Sequence, residues 1–180
     1  MFQHFDKYLN VSELIDAAGP SRIFEFGAGG GNNTVKLLGT GAEVVVVTDG
    51  VHPENIDPHP RLTWHFEISY KFIPRLSDQS VQFAIIDTDH NAWTLDRELC
   101  LLIPKMEKGG LVCIHDTETF KDEDGVMLHY NTGDPYPREE IEKFPLGYRD
   151  VIDELTEFGD AYELIRESKE SCGAIALRKT

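Results

Sequence analysis

The amino-acid sequence predicts an α/β fold, a doubly wound and mostly parallel sheet of seven strands with helices on both faces. Short apolar runs alternate with helical segments at the spacing of right-handed β–α–β crossovers. Residues 44–47 are four consecutive valines, which suits a strand buried on both faces. Only five residues, 167–171, separate the last two runs, so no helical crossover fits and one of these strands must run antiparallel.

The strands are predicted from apolar and β-branched runs that are bounded by turn residues. They are expected at residues 22–26, 43–48, 62–66, 81–86, 111–115, 162–166 and 172–178. Gly109 and Gly110 predict a turn into the fifth strand. The last two strands are expected to close the sheet as an antiparallel hairpin.

Helices are predicted at residues 11–18, about 32–38, 70–76, 92–103 and 147–158. Asn10 or Ser12 is expected to cap the first helix, and Asn32 or Asn33 the second. The helix at 92–103 has the clearest apolar periodicity of the first half. Its predicted buried residues are Trp93, Leu95, Leu99 and Leu102.

Length and composition exclude several classes of protein. The chain has 180 residues, which fits one domain spanning 1–180. Seventeen basic and 32 acidic residues give a formal net charge of −15, which disfavours nucleic acid and anionic membranes as partners. No apolar run approaches the about 18 residues of a membrane span, and no secretory signal is visible. We therefore expect a cytoplasmic protein, with Cys100, Cys113 and Cys172 as reduced, buried thiols.

Residues 117–146 differ in character from the rest of the chain, because they are charged, contain Gly and Pro and show little periodicity. A loop of this length is often functional, which predicts a lid or substrate loop. His129, Tyr130 and Tyr136 lie there and could contact a substrate. A plain surface position is the alternative for all three.

A glycine-rich turn follows the first strand, at residues 25–31. The dinucleotide pattern G-x-G-x-x-G fails at Asn32, whereas the tighter G-x-G-x-G fits Gly27, Gly29 and Gly31. Glu25, just before the turn, suits a cationic amino-acid ligand better than a pyrophosphate. An ordinary glycine loop is the alternative, although the strand–turn–helix context favours a ligand site.

Acidic and histidine residues follow three further strands. Asp49 ends the second strand, where a carboxylate can accept both hydroxyls of a ribose, or can simply be a solvated turn residue. The fourth strand runs into Asp87-Thr88-Asp89-His90, and the fifth strand runs from Gly109-Gly110 to His115-Asp116.

Together these motifs resemble the class I S-adenosylmethionine-dependent methyltransferases, over about residues 22–179. The segments 85–90 and 108–117 resemble, more narrowly, the catechol O-methyltransferase-like and cephalosporin hydroxylase-like subgroup. The resemblance implies a Rossmann-like sheet and S-adenosylmethionine as cofactor. It also implies a small-molecule acceptor, and it leaves a homodimer as one way to cover the cleft.

The resemblance also assigns residues to the cofactor. Glu25, Gly27, Gly29 and Gly31 would line its methionine end, and Asp49 would hold its ribose. Residues 67–69, which end in Ser69, would lie near the adenine, with Glu67 as a departure from the family's usual Gly-Asp-Ser. The residues Asp87 and His90 complete the implied cofactor site.

Catalysis needs a hydroxyl to lose its proton as it attacks the methyl group. The resemblance implies that Asp87 and Asp116 hold a divalent metal such as Mg²⁺, which would lower the pKa of the acceptor oxygen. Thr117 stands where the family usually has Asn or Asp. Without a metal, His90 or His115 is the candidate base. The alternatives are a cap role for His90 and, because strand faces alternate, an orientation of His115 away from the cleft.

The leading function is therefore O-methylation of a hydroxylated small molecule, of a sugar or natural-product type. The alternative of a different class is a catalytically degenerate protein that binds S-adenosylmethionine or a partner. A nicotinamide-dependent oxidoreductase is disfavoured by Asn32 and by the closing hairpin.

Overall fold

The computed structural model describes residues 7, 9–48, 56–118, 137–158, 160–170 and 172–180. Seven strands form one sheet: β1 Arg22–Phe26, β2 Glu43–Thr48, β3 Leu62–Phe66, β4 Val81–Ile86, β5 Met106–His115, β6 Tyr162–Ser168 and β7 Ala174–Lys179. Their order is β3-β2-β1-β4-β5-β7-β6. The first five strands pair in parallel, whereas β7 is antiparallel to both β5 and β6. The predicted sheet and its closing antiparallel hairpin are confirmed.

Helices lie before, between and after the parallel strands. They are α1 Val11–Ala18, α2 Asn32–Gly39, α3 Ser69–Phe72 with a following 3₁₀ turn Ile73–Arg75, α4 Ala92–Leu102, α5 Arg138–Glu142, and α6 Tyr148–Asp153 with a following π turn Glu154–Phe158. Within the described ranges, no helix has the length and apolar character needed to cross a membrane.

The central strands of the sheet are buried on both faces, whereas the edge strands β3 and β6 are partly exposed. Successive side chains of a strand point to opposite sides. Ile23 and Phe24 in β1 therefore enter two different cores. The first core lies between the sheet and α3, α4 and α6, and the second lies against α1 and α2. Val44 and Val46 face the second core and Val47 faces the first, whereas Val45 is half-buried, so the valine run is largely but not fully buried.

Helix α4 begins as its sequence predicts, while the caps of α1 and α2 differ from expectation. Asn91 caps α4, since its side chain accepts a hydrogen bond of 2.8 Å from the Thr94 amide. Asn10 occupies the cap position of α1 in a left-handed conformation, without a side-chain cap bond. Gly31, and not Asn32 or Asn33, is at the cap position of α2. The predicted buried residues of α4 are all buried: Trp93, Leu95, Leu99 and Leu102.

The predicted turn at Gly109 and Gly110 is wrong, because β5 already begins at Met106 and runs through both glycines. The register between β4 and β5 shifts after Val81, so the glycines lie at an irregularity within the strand. A Cβ atom at Gly110 would lie 2.9 Å from the carbonyl oxygen of Glu107. Glycine at this position thus allows a close backbone approach.

The prediction of three reduced, buried thiols is only partly confirmed. All three thiols are free, but Cys113 alone is buried, Cys172 is half-buried and Cys100 is exposed.

The predicted lid lies mostly outside the described residues. These undescribed residues are 119–136, with His129, Tyr130 and Tyr136, so the lid stays a prediction. The described end of the segment forms α5, whose residue Ile141 is fully buried.

Candidate active site

The glycine-rich turn joins the end of β1 to α2 and packs directly on the end of β4. The Gly27 amide donates to the Val47 carbonyl at 2.9 Å, and the Asp87 amide donates to the Phe26 carbonyl at 2.8 Å. A Cβ atom at Gly27 would overlap the Asp87 carbonyl oxygen, and φ is +84° there. Only glycine fits this position, so the first glycine serves the packing of β1 against β4.

The second glycine faces open space. Gly29 has a φ of +47°, and a Cβ atom built on it would meet no described atom within 4 Å. Gly31, with a φ of +77°, leads into α2. The first amides of a helix have no partner within the helix, so the turn into α2 offers hydrogen-bond donors suited to a negatively charged ligand group.

Glu25 lies behind the turn and is fully buried. Thr34 on α2 donates a hydrogen bond of 2.6 Å to its Oε2 atom. Its Oε1 atom has no hydrogen-bond partner among the described residues. Burial, with a smaller contribution from Asp87, raises the pKa of Glu25 to about 8. A positive charge nearby would stabilise the carboxylate, so this position is suited to a cationic ligand group.

A cleft continues from the turn across the ends of β2, β3 and β4. It is lined by Gly27, Val47, Thr48, Glu67, Ile68, Ser69 and Thr88. The residues that the resemblance places near the adenine, 67–69, therefore do line a cleft beside the glycine turn. Glu67 forms an ion pair with Arg75. Asp49, the predicted ribose ligand, lies outside the described residues.

Two carboxylates and two imidazoles meet at the ends of β4 and β5. His90 Nε2 lies 2.7 Å from Asp116 Oδ2, and His115 Nδ1 lies 3.1 Å from Asp116 Oδ1. Both imidazoles also lie 3.4 Å from Asp87 Oδ1. We refer to Asp87, His90, His115 and Asp116 as the Asp–His cluster. Its side chains are 4–15% exposed, so the cluster is largely shielded from water but retains some surface that a substrate can contact.

Backbone conformation explains why both histidines enter this cluster. His90 and Asp116 have positive φ angles of 54° and 58°, which is uncommon for residues other than glycine. Strand β5 ends at His115, so the rule that successive side chains point to opposite faces no longer applies between His115 and Asp116. His115 therefore contacts both carboxylates, which favours its role as a candidate base over an orientation away from the cleft. His90 likewise does not cap α4, because Asn91 does.

The charges in the Asp–His cluster shift one another's pKa values. Burial opposes ionisation of Asp87 and Asp116, but hydrogen bonds with both histidines outweigh it and lower both pKa values. Burial alone would lower the histidine pKa values, yet hydrogen bonds with the carboxylates raise them to about 9 for His90 and for His115. The cluster therefore holds protons on imidazole at neutral pH and releases them near pH 9.

Other residues connect the cluster to its surroundings. Asn33 on α2 donates a 3.2 Å hydrogen bond to Asp87 Oδ2, which links the glycine turn to the cluster. Asp89 is buried behind it, where Thr94 and Asn91 donate hydrogen bonds to Asp89 Oδ2. Asp89 thus supports the start of α4. Cys172 Sγ lies 3.5 Å from His115 Nε2, on the opposite side of that ring.

Three further residues belong to this region and were not predicted from the sequence: Asn33, Glu98 and Cys172. Glu98 is fully buried on α4, and its carboxylate contacts Ser69 and Thr88. A signal for it existed, because Glu98 is an acidic residue on the apolar side of a helix, next to Leu99. No comparable signal marked Asn33 or Cys172, whose contacts depend on the tertiary fold.

Comparison with known families identifies the chain. Residues 24–117, more than half of its length, match the family described as a methyltransferase domain. The chain belongs to this methyltransferase family. The matched range contains the glycine turn and all four residues of the Asp–His cluster. The resemblance to class I methyltransferases is thereby confirmed, as is the prediction of a methyltransferase enzyme.

Solved structures share the fold of this methyltransferase at low sequence identity. A Staphylococcus aureus protein provisionally named a caffeoyl-CoA O-methyltransferase has a TM-score of 0.65 at 13% identity, over 99% of this chain and 89% of that one. The N-methyltransferase NodS from Bradyrhizobium japonicum gives 0.60 at 14%, over 98% and 96%. The Burkholderia thailandensis 1,6-didemethyltoxoflavin-N1-methyltransferase, with 1,6-didemethyltoxoflavin and S-adenosylhomocysteine bound, gives 0.59 at 16%, over 94% and 76%. No curated protein sequence matches significantly.

The donor set of the cluster does not fit Mg²⁺ as it stands. Mg²⁺ takes octahedral oxygen ligands, but both carboxylate oxygens of Asp116 already face imidazole nitrogens, and Thr117 follows where the subgroup has Asn or Asp. Ligand atoms of Asp87, His90 and Asp116 lie within 4.8 Å of one another. Such a mixed nitrogen and oxygen set suits Mn²⁺, Fe²⁺ or Zn²⁺ better.

Proposed function

We propose that this methyltransferase uses S-adenosylmethionine to methylate a hydroxyl group of a small molecule, of a sugar or natural-product type. One observation carries the proposal: the Asp–His cluster, with His90 Nε2 2.7 Å from Asp116, lies at the strand ends beside the glycine turn. A proton-accepting group next to the expected methyl donor is what transfer to a hydroxyl requires.

The glycine turn and Glu25 would hold the methionine end of the cofactor. Gly29 leaves room for the ligand backbone, and the first amides of α2 offer it hydrogen-bond donors. Glu25 would balance the ammonium group, since its Oε1 atom has no other described partner. When bound, S-adenosylmethionine supplies an electrophilic methyl group on a sulfonium sulfur. The residues of the chain then orient the acceptor and remove its proton.

Proton transfer is assigned to the Asp–His cluster. With S-adenosylmethionine bound, a histidine–carboxylate pair of the cluster would take the proton that the acceptor hydroxyl loses as it attacks. The cluster can accept it only when an imidazole is neutral, and hydrogen bonds with carboxylates raise the pKa values of His90 and His115 to about 9. Methyl transfer should therefore become faster from pH 7 to pH 9.

The same cluster favours an oxygen over a nitrogen acceptor. A neutral amine attacks through its lone pair and can lose its proton afterwards, whereas an alcohol needs a base as it attacks. Two of the structural neighbours named above are N-methyltransferases, so the fold itself does not select the atom. The net charge of −15 and the neighbour with a bound small-molecule substrate support a small acceptor rather than nucleic acid.

The alternative is a cofactor-binding protein without acceptor turnover. It would keep the glycine turn and Glu25 but make no use of the Asp–His cluster.

The proposal also includes three further expectations: a lid at residues 117–146, a homodimer that covers the cleft and a cytoplasmic location. Dimerisation is testable by sedimentation at several concentrations.

Calorimetric titration with S-adenosylmethionine and S-adenosylhomocysteine is the first test, with Gly29→Val as the variant expected to lose both. A panel of hydroxylated sugars and phenols would then be assayed for methyl transfer at pH 9, beside matched amines. Transfer to hydroxyls supports the proposal. Binding without any turnover would support the alternative, and absence of binding by either ligand at millimolar concentration would refute both.

A further inference from the structure

Glu98 is a buried acidic residue that the proposed reaction does not use. It lies on α4 between Leu95 and Leu99, and its exposed fraction is 0%. Acidic side chains are almost never fully buried without partners, because loss of hydration is costly. The position therefore needs an explanation beyond packing.

Its two carboxyl oxygens reach two different walls of the cofactor cleft. Ser69, the first residue of α3, donates its hydroxyl proton to Glu98 Oε1. Thr88, in the loop after β4, has its hydroxyl oxygen 3.2 Å from Glu98 Oε2. Ser69 and Thr88 both line the cleft beside Gly27. One side chain thus joins the loop after β3 to the loop after β4.

The contact with Glu98 also fixes what the Ser69 hydroxyl can do. A serine hydroxyl has one proton to donate and two lone pairs that accept. Because the proton is directed to Glu98, only the lone pairs remain for a ligand in the cleft. The cleft wall then offers an acceptor at Ser69, which matches a ligand group that donates.

We propose that Glu98 is a positioning residue for the adenine end of the cofactor, holding the Ser69 hydroxyl as an acceptor that favours a 6-amino purine over a 6-oxo purine. This inference rests on the proposed use of S-adenosylmethionine. It adds a residue that acts through Ser69 and does not itself contact the ligand.

The protonation state of Glu98 is compatible with this role. Burial raises its pKa to about 8, so the group is largely protonated at neutral pH. A proton on Oε2 lies on the side of Thr88 and leaves Oε1 free to accept from Ser69. Glutamine reproduces this arrangement, with a carbonyl oxygen toward Ser69 and an amide group toward Thr88. Leucine removes it but matches the apolar neighbours on α4.

The test compares two ligands across matched variants by calorimetry: S-adenosylhomocysteine and its 6-oxo analogue S-inosylhomocysteine. The wild-type chain should prefer the 6-amino ligand. Glu98→Leu and Ser69→Ala should each reduce that preference about three- to tenfold, the effect of one hydrogen bond. Glu98→Gln should keep it within about twofold. Thermal unfolding is measured in parallel, and Glu98→Leu should unfold at a lower temperature than wild type, because the Ser69 and Thr88 hydroxyls lose their hydrogen-bond partner.

The double variant Glu98→Leu/Ser69→Ala decides whether Glu98 acts through Ser69. If it does, the double variant loses no more preference than either single variant. The inference would be overturned if the two single losses of ligand preference added up in the double variant. It would also be overturned if Ser69→Ala kept the wild-type preference for the 6-amino ligand. This second result can be obtained even if Glu98→Leu fails to fold. Absence of wild-type binding to S-adenosylhomocysteine would instead refute the proposed function, so the two failures are distinguishable.

Discussion

The two halves of the candidate site are built in different ways. The glycine half, Glu25 and residues 27–31, comes from one continuous stretch of chain between β1 and α2. The Asp–His cluster comes from two stretches that follow β4 and β5 and meet only because these strands are neighbours. The first half depends on local backbone geometry. The second depends on the tertiary fold and on the electrostatic interactions among its two carboxylates and two imidazoles.

This difference predicts different failures on mutation. A change in the glycine half should alter folding or cofactor binding, depending on which glycine is replaced. A change in the Asp–His cluster should slow the reaction while cofactor binding persists.

The largest effect is expected from Gly27→Ala. A Cβ atom there would lie 2.6 Å from the Asp87 carbonyl carbon at a positive φ of +84°, so we expect a loss of at least about 3 kcal/mol in the free energy of unfolding. Gly29→Ala meets no described atom and should cost only about 1 kcal/mol, while weakening S-adenosylhomocysteine binding at least tenfold, or about 1.4 kcal/mol. Urea unfolding and calorimetry measure the two effects.

Gly39→Ala is the matched control, because Gly39 ends α2 with open space around it and no left-handed conformation. It should change neither stability nor binding by more than about 1 kcal/mol. Equal stability of the Gly27→Ala and Gly29→Ala variants would contradict the distinction between a packing glycine and a ligand glycine.

The distinction between local and tertiary features also explains which parts of the fold and site could be predicted from the sequence. The valine run, the glycine turn and the short 167–171 connection predicted the sheet and its closing hairpin, because each is a local pattern with a single structural solution. The pairing of Asp87 with Asp116 was also predictable, since parallel strand ends meet at one edge. The orientation of His115 was not, because strand alternation stops at Asp116, whose positive φ has no sequence signature. The turn at Gly109 was mispredicted for a similar reason, since glycine marks irregularities within strands as well as turns.

Asp116→Asn is expected to have the next largest effect. It removes the charge that lies between the two imidazoles and holds them in place, so at pH 9, where the wild-type imidazoles are partly neutral, the turnover number should fall by about 10²- to 10⁴-fold, the usual contribution of acid–base catalysis. S-adenosylhomocysteine affinity should stay within about twofold, since Asp116 faces the two imidazoles, whereas the methionine end of the cofactor is assigned to the glycine half. Single-turnover rates and calorimetry give both values.

Asp78→Asn provides the control, because that carboxylate forms an exposed ion pair with Lys105 away from the cluster. Loss of cofactor affinity in Asp116→Asn, at an unchanged turnover number, would mean that the cluster serves binding and not proton transfer.

Glu25→Gln should have a smaller effect, confined to the cofactor. Burial raises the pKa of Glu25 to about 8, so it is mostly protonated at pH 7, and a bound ammonium group should ionise it. Binding of S-adenosylhomocysteine at pH 7 should therefore release about one proton, and binding at pH 9.5 almost none. Glu25→Gln should abolish this release and weaken binding about tenfold.

Titrations in buffers of different ionisation enthalpy count the released protons. Thr34→Val is the companion variant, because it removes the hydrogen bond to Oε2 but keeps the carboxyl group that titrates. Proton release that persists in Glu25→Gln would assign the release to another group and remove Glu25 from the methionine site.

Metal removal should have the smallest effect. Both oxygens of Asp116 face imidazole nitrogens at 2.7 and 3.1 Å, so Mg²⁺ would have to displace two interactions that the cluster already makes. Dialysis against a chelator should therefore change neither the rate of methyl transfer nor cofactor affinity by more than about twofold. If the rate falls and Mg²⁺ restores it, the carboxylates ligate metal in the working enzyme and the imidazoles turn away. If Mn²⁺ or Zn²⁺ restores the rate but Mg²⁺ does not, Asp87, His90 and Asp116 together ligate the metal. The Asp–His cluster then needs a bound metal ion to be complete, whereas the glycine half does not.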